Sequence, residues 1–227
     1  MAKSDIVGAT AIADKGWFKA HKWLLLRRLS QLGILGLFLT GPVLGIWIVK
    51  GNLASSLTLD VLPLTDPHIL LQAMLSGVTP EAAALVGAAI VLAFYMLVGG
   101  RVYCSWVCPV NMVTDAAAWL RRKLGLRGAS HMSRSTRYWM LALTFILPLV
   151  TGSIVWELFN PVSMMFRGIV FGLGMAWILI LGIFLFDLLV SRDGWCGHLC
   201  PVGAFYSLLS TRAPLRVSAL NREACDD

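Results

Sequence analysis

Apolar residues gather along this chain into four long blocks, at about 29–49, 82–100, 139–159 and 168–190. Each is near the roughly 20 residues that carry a helix across about 30 Å of hydrocarbon. Lipid offers the backbone no hydrogen-bond partners, so the blocks predict membrane-spanning helices rather than open strands. Between the first and second blocks stands Asp66-Pro67, and between the third and fourth Asn160-Pro161. Both pairs are helix-start signals, with the Asx side chain as cap and proline in the first turn. Residues 111–124 set Met112, Trp119, Leu120 and Leu124 among Arg121, Arg122 and Lys123, which predicts an amphipathic helix on a membrane surface.

Composition sharpens this picture. Hydrophobic residues make up 58% of the chain and charged residues 14%, with a mean hydropathy of +0.76. An ordinary soluble domain is about 25% charged. The basic residues are unevenly placed: 17 of the 19 Lys and Arg lie before the first block, between the second and third, or after the fourth. Only Lys50 and Arg167 lie opposite, so the positive-inside rule puts both termini and the middle loop in the cytoplasm. Orientation and anionic lipid account for the net charge of +7, and no nucleic acid is expected as a partner. Trp17, Trp23, Trp47, Trp139 and Trp156 fall near predicted span ends, as an aromatic belt does. Asp187 is expected to snorkel toward water or to pair with Arg192.

The chain also repeats itself. Cys104-Ser105-Trp106-Val107-Cys108-Pro109-Val110 matches Cys196-Gly197-His198-Leu199-Cys200-Pro201-Val202 at one offset throughout, and the two Asx-Pro pairs follow at nearly the same offset. The fold expected is therefore all-α and integral to the membrane: four transmembrane helices as two parallel two-helix repeats, N-in and C-in, with both Cys pairs on one face. The expected segments are a cytoplasmic arm at 1–28, a first repeat at 29–110, an amphipathic loop at 111–138, a second repeat at 139–203, and a cytoplasmic tail at 204–227. Proline after each motif fits the first position of a helix, making Cys108 and Cys200 caps at a positive helix end where thiolates are favoured. Four such cysteines supply the soft ligands wanted by an iron–sulfur cluster, a single iron or a zinc. His198 has no counterpart in the first motif and is not expected to be a ligand.

The paired Cys-x-x-x-Cys-Pro motifs, the second within Trp195-Cys-Gly-His-Leu-Cys-Pro-Val-Gly-Ala-Phe-Tyr206, resemble the membrane-bound ferredoxin-type proteins of the NapH family, related to the NosR and CcoG types. The resemblance implies an electron-transfer subunit of a quinol dehydrogenase in a bacterial inner membrane. Such a subunit passes electrons from quinol toward periplasmic nitrate reductase through an iron–sulfur protein and a membrane-anchored c-type cytochrome. Family members continue into a domain with two ferredoxin-like runs of four Cys, whereas this sequence ends at Cys225-Asp226-Asp227 and is expected to be truncated before it.

Cys104, Cys108, Cys196 and Cys200 are thus the expected metal ligands, holding an iron–sulfur centre or iron. Quinol oxidation also needs proton acceptors, for which Glu157 and His68 are the candidates. Asp66 and Asn160 are expected to be helix caps, and Asp60 a solvated loop residue. Two other function classes stay open: a factor that passes metal or clusters to another oxidoreductase, and a non-redox anchor for a periplasmic iron–sulfur partner.

Overall fold

A computed structural model describes residues 9–126, 132–172 and 174–215. In chain order it has α1 (Ala9–Lys15), α2 (Trp17–Leu44), strands β1 (Val49–Gly51), β2 (Ser55–Thr58) and β3 (Leu62–Thr65), and α3 (Pro67–Leu75). Then follow α4 (Ala82–Val98), α5 (Val110–Lys123), α6 (Thr136–Thr151), α7 (Val155–Phe159), α8 (Pro161–Phe171), α9 (Gly174–Leu189) and α10 (Pro201–Leu209). A π-helical turn, Tyr103–Val107, joins α4 to α5, and a second, Trp195–Leu199, joins α9 to α10.

The four-span, all-α architecture expected from hydropathy does not stand. Among the described residues one helix, α2, is long and apolar enough to cross a membrane, and the other apolar helices run to 10–17 residues. Glycines in positive-φ conformations explain the difference. The first apolar block ends its helix at Gly45 (φ 72°) and then enters β1. The third breaks at Gly152 (φ 65°) before α7, and the fourth divides at Gly172 (φ 65°) between α8 and α9. The left-handed region stops an α-helix and costs glycine little, so an apolar run need not be one helix. The positive-inside count that placed both termini in the cytoplasm was made against those four spans, and it loses that basis here.

Between α2 and α3 the chain builds an antiparallel sheet in the order β1-β2-β3, pairing Val49 with Thr58 and Ser55 with Thr65. The Asn52 side chain shapes its first turn, accepting hydrogen bonds from Ala54 N and Ser55 N at 2.9 and 3.0 Å. At the second turn Leu59 and Asp60 both take positive φ, and Lys50 pairs with Asp60 at 2.7 Å. The sheet lies on α4, where Gly87 leaves room for the backbone of Pro63 and Thr65.

What the halves share is a shorter unit than the two-span repeat. Each has an Asx-capped helix (α3 or α8), an apolar helix (α4 or α9), a π turn with two cysteines, and a following helix (α5 or α10). Asp66 accepts from His68 N at 2.9 Å and Asn160 from Val162 N at 3.1 Å, as capping requires. The amphipathic helix at 111–124 forms as α5, but it is docked on α9. Val110, Thr114, Ala117, Ala118 and Arg121 make its buried face, at helical spacing. Arg121 Nη1 donates to the carbonyl oxygens of Asp187 and Leu188 at 3.3 and 2.9 Å. Asp187 does not pair with Arg192: it is fully buried and accepts from Trp195 N at 2.9 Å, bracing the second π turn, while Arg192 pairs with Asp193.

Candidate iron–sulfur site and an adjoining cavity

Each Cys pair is built by its π turn. Cys108 N donates to Tyr103 O at 3.0 Å and Cys200 N to Trp195 O at 2.8 Å, bonds that reach one residue further than in an α-helix. The wider turn brings residues four apart back toward one side, and the following proline starts a new helix without needing a donor. At the second copy Cys200 is the cap itself, its Sγ accepting from Gly203 N at 3.4 Å. At the first, the cap position of α5 is taken by Pro109.

All four cysteines carry free thiols, and all four line one enclosed cavity together with Trp156, Trp195 and Asp66. Burial raises the pKa of every one of them, with neighbouring thiols adding to the effect; Cys104 and Cys200 are pushed up to about 12. The lowered thiol pKa expected from the cap positions is therefore reversed. Desolvation of the thiolate outweighs the N–H groups of Val202 and Gly203 at Cys200. Thiols of this kind ionise when a metal replaces the proton.

Four thiols on one cavity are the donor type that an iron–sulfur cluster takes. Among the described residues no group of three or more His, Cys, Asp or Glu side chains is placed to hold one metal ion. A four-iron cluster would ask less of convergence, and Cys104, Cys108, Cys196 and Cys200 are the residues that would hold it. Trp156 supplies a second observation in its favour. The sequence put this residue in an interfacial belt, yet it is buried on the wall of the cysteine cavity and its Nε1–H has no partner among the described residues. An indole N–H can only donate, and sulfur of a cluster can accept.

The first motif is held from far away in sequence. Gln31, fully buried on α2, donates through Nε2 to the carbonyl oxygens of Ser105 and Cys108 at 3.0 and 3.2 Å. Arg27 donates to Ser105 O at 3.1 Å and Asn111 Oδ1 at 2.8 Å, and Arg28 pairs with Asp115. Gln31→Leu removes the donor to two carbonyl groups of the motif, and stability should fall by about 1–3 kcal/mol. A lower midpoint of thermal unfolding and faster alkylation of Cys108 are the expected readings; unchanged values would show that α2 does not hold the motif.

A second cavity, of about 370 Å³, adjoins the first. It lies among α2, the sheet and α4 and is walled by residues such as Phe38, Leu64, Ile90 and Phe94. Asp66 and Tyr103 border both cavities. Tyr206, fully buried, stacks on Tyr103 with ring centres 4.8 Å apart and donates its hydroxyl to Asp66 Oδ1 at 3.2 Å. Burial pushes the Asp66 carboxyl up to about 6, against the hydrogen bonds from His68 N and Tyr206 that favour its charge.

The two expected proton acceptors line neither cavity. His68 is fully buried, its Nε2 donating to Thr144 Oγ1 at 3.3 Å and its Nδ1 accepting from Gln72 Nε2 at 3.2 Å. That orientation follows because the Thr144 hydroxyl is already donated to Leu141 O. Burial pulls the His68 pKa down to about 4, so the ring is neutral. Glu157 accepts from Asn160 Nδ2 at 3.2 Å and faces Arg167 at 3.7 Å. Sequence reasoning missed Gln31, Tyr95, Tyr103 and Tyr206, and read Asp66 only as a cap.

Comparison with known proteins places the chain. A family described as "4Fe-4S binding domain" matches twice, over residues 82–127 and 173–217, each match spanning one apolar helix, π turn and following helix. The methylamine utilization ferredoxin-type protein MauN of Methylorubrum extorquens is 52% identical over 217 residues, covering 96% of this chain and 76% of its own length. MauN of Paracoccus denitrificans is 55% identical over 217 residues, covering 96% and 77%. The ferredoxin-type protein NapH of Escherichia coli K12 is 48% identical over 219 residues, covering 96% and 76%. The chain belongs to the NapH and MauN ferredoxin-type proteins. It is an electron-transfer protein of the iron–sulfur class. No solved structure matches it.

Proposed function

We propose that this protein is the membrane-held electron-transfer subunit of a quinol dehydrogenase, and that Cys104, Cys108, Cys196 and Cys200 hold its iron–sulfur cluster. The observation that carries the reading is the shared wall: a cavity lined by four thiols touches an apolar cavity across Asp66 and Tyr103. A cluster, when bound, supplies redox chemistry one electron at a time. The chain's own residues do the rest. Gln31 and Asp187 fix the two π turns, Trp156 offers its N–H to the site, and the Tyr95, Tyr103 and Tyr206 rings exclude water. Quinol oxidation also releases protons. Glu157, whose charge acts on Asp66, is the acceptor we retain for their onward passage; His68, neutral and fully bonded, serves packing.

Attachment to a bacterial inner membrane belongs to the same reading. It is supported by α2 and by outward apolar side chains such as Phe94, Leu97, Val150, Ile178 and Leu181. Electrons would pass to a periplasmic iron–sulfur protein and a membrane-anchored c-type cytochrome, and from there toward periplasmic nitrate reductase. A second destination, an oxidoreductase of methylamine utilisation, is favoured by the identities of 52% and 55% to MauN beside 48% to NapH.

Anaerobic addition of menadiol, a naphthoquinol, to the reconstituted full chain should bleach its visible iron–sulfur absorption. An iron–sulfur spectrum that menadiol leaves untouched overturns the dehydrogenase reading. Complementing strains that lack either NapH or MauN then tells the two destinations apart.

A further inference from the structure

The 370 Å³ cavity has the size and lining of a small-molecule site. Its walls come mainly from α2, the sheet and α4, with the first π turn and Tyr206 of α10, and their polar groups are Ser56, Thr65, Asp66 and the hydroxyls of Tyr95, Tyr103 and Tyr206. Of these, Tyr206 has given its hydroxyl to Asp66. Asp66 itself is unevenly used. Both its hydrogen bonds, from His68 N at 2.9 Å and Tyr206 Oη at 3.2 Å, go to Oδ1, and Oδ2 has no hydrogen-bond partner among the described residues. Oδ2 is not among the fully enclosed polar atoms, so this free acceptor on a cavity-lining residue is open to a ligand hydroxyl. An acyl chain would fill the same walls and leave Oδ2 unsatisfied.

Apolar walls and one free acceptor suit an apolar molecule that carries a hydroxyl group, and the rings of Phe38, Phe94, Tyr95 and Tyr103 in the lining suit an aromatic one. Phe94, half exposed on the outer apolar face of α4, also lines the cavity, so a molecule dissolved in lipid has a short way in. Its inner end is Asp66 and Tyr103, which also border the four-cysteine cavity.

We propose that this cavity is the hydroquinone-binding site, with the ring held between α2, the sheet and α4 and one ring hydroxyl donating to Oδ2 of Asp66. The proposal rests on the quinol reading above and locates it.

Two variants of the full chain test it, with anaerobic calorimetric titration of menadiol as the readout and the iron–sulfur absorption as a check of folding. Asp66→Asn keeps the helix cap, as Asn160 does on α8, and keeps an oxygen for His68 N and Tyr206. It turns the free oxygen into an N–H, so the ring hydroxyl loses the charged acceptor for its proton and keeps only a weaker neutral hydrogen bond, accepted at its own oxygen. The dissociation constant should rise by about tenfold or more. Val91→Phe fills the cavity from α4 and leaves Asp66 alone, and saturable binding should disappear. Should either variant bind menadiol as the unaltered chain does, the site is elsewhere, while the quinol reading survives. Should the unaltered chain neither bind menadiol nor be reduced by it, both fall. Equal displacement of menadiol by decanoate from the unaltered chain and from Asp66→Asn would mark an acyl-chain site and would also overturn the proposal.

Discussion

Serine in place of Cys200 should abolish the iron–sulfur absorption and the bound iron and sulfide, and Cys104→Ser, Cys108→Ser and Cys196→Ser should each do the same. The four thiols line one cavity, two from each π turn. A cluster held by both halves has no partial set of ligands to fall back on. Residues that act as one unit lose function together, so Cys104→Ser with Cys196→Ser should cost no more electron transfer than either change alone. Metal analysis gives the answer directly. If each single variant kept half the iron, or if the two losses multiplied, the pairs would hold separate centres and the shared-cavity reading would fail.

Gly100→Ala should be the most damaging single change outside the cysteines. A Cβ there would overlap the backbone carbonyl of Tyr206 on α10, which has no side-chain rotation to move it away. Helices α4 and α10 would have to separate, carrying the Tyr206 hydroxyl off Asp66. Overpacking of this kind costs about 1–3 kcal/mol or more. Gly33→Ala is the control: it lies inside α2 with nothing within 4 Å of the added atom, where alanine is the better helix former. Thermal unfolding should show Gly100→Ala well below the unaltered chain and Gly33→Ala at or slightly above it. Equal midpoints for the two would mean that the α4–α10 contact is not tight.

Local chemistry was readable from the residues in order. Asp66-Pro67 and Asn160-Pro161 start helices because the Asx side chain reaches an amide two positions on, and nothing distant is needed. The duplicated Cys-x-x-x-Cys-Pro motif identified the family for the same reason, since a turn and its following helix are set within a few residues. Hydropathy served less well as a measure of span. It sums apolar character over a window and does not register that Gly45, Gly152 and Gly172 turn to positive φ, where a helix must stop. The amides that surround the thiols were legible too, but the burial that outweighs them was not.

What only the tertiary structure decided is the company each residue keeps. Gln31 reaches the first motif across 74 and 77 positions of sequence, and Tyr206 reaches Asp66 across 140. Trp156 faces the cysteines rather than a membrane surface. Such contacts depend on how helices are stacked, which no pattern along a single segment encodes. The sequence by itself therefore determined the paired Cys motifs, the Asx caps and the family; the packing of α2, α4 and α10 against the two π turns decided where Asp66, the tyrosines and the second cavity would meet those motifs.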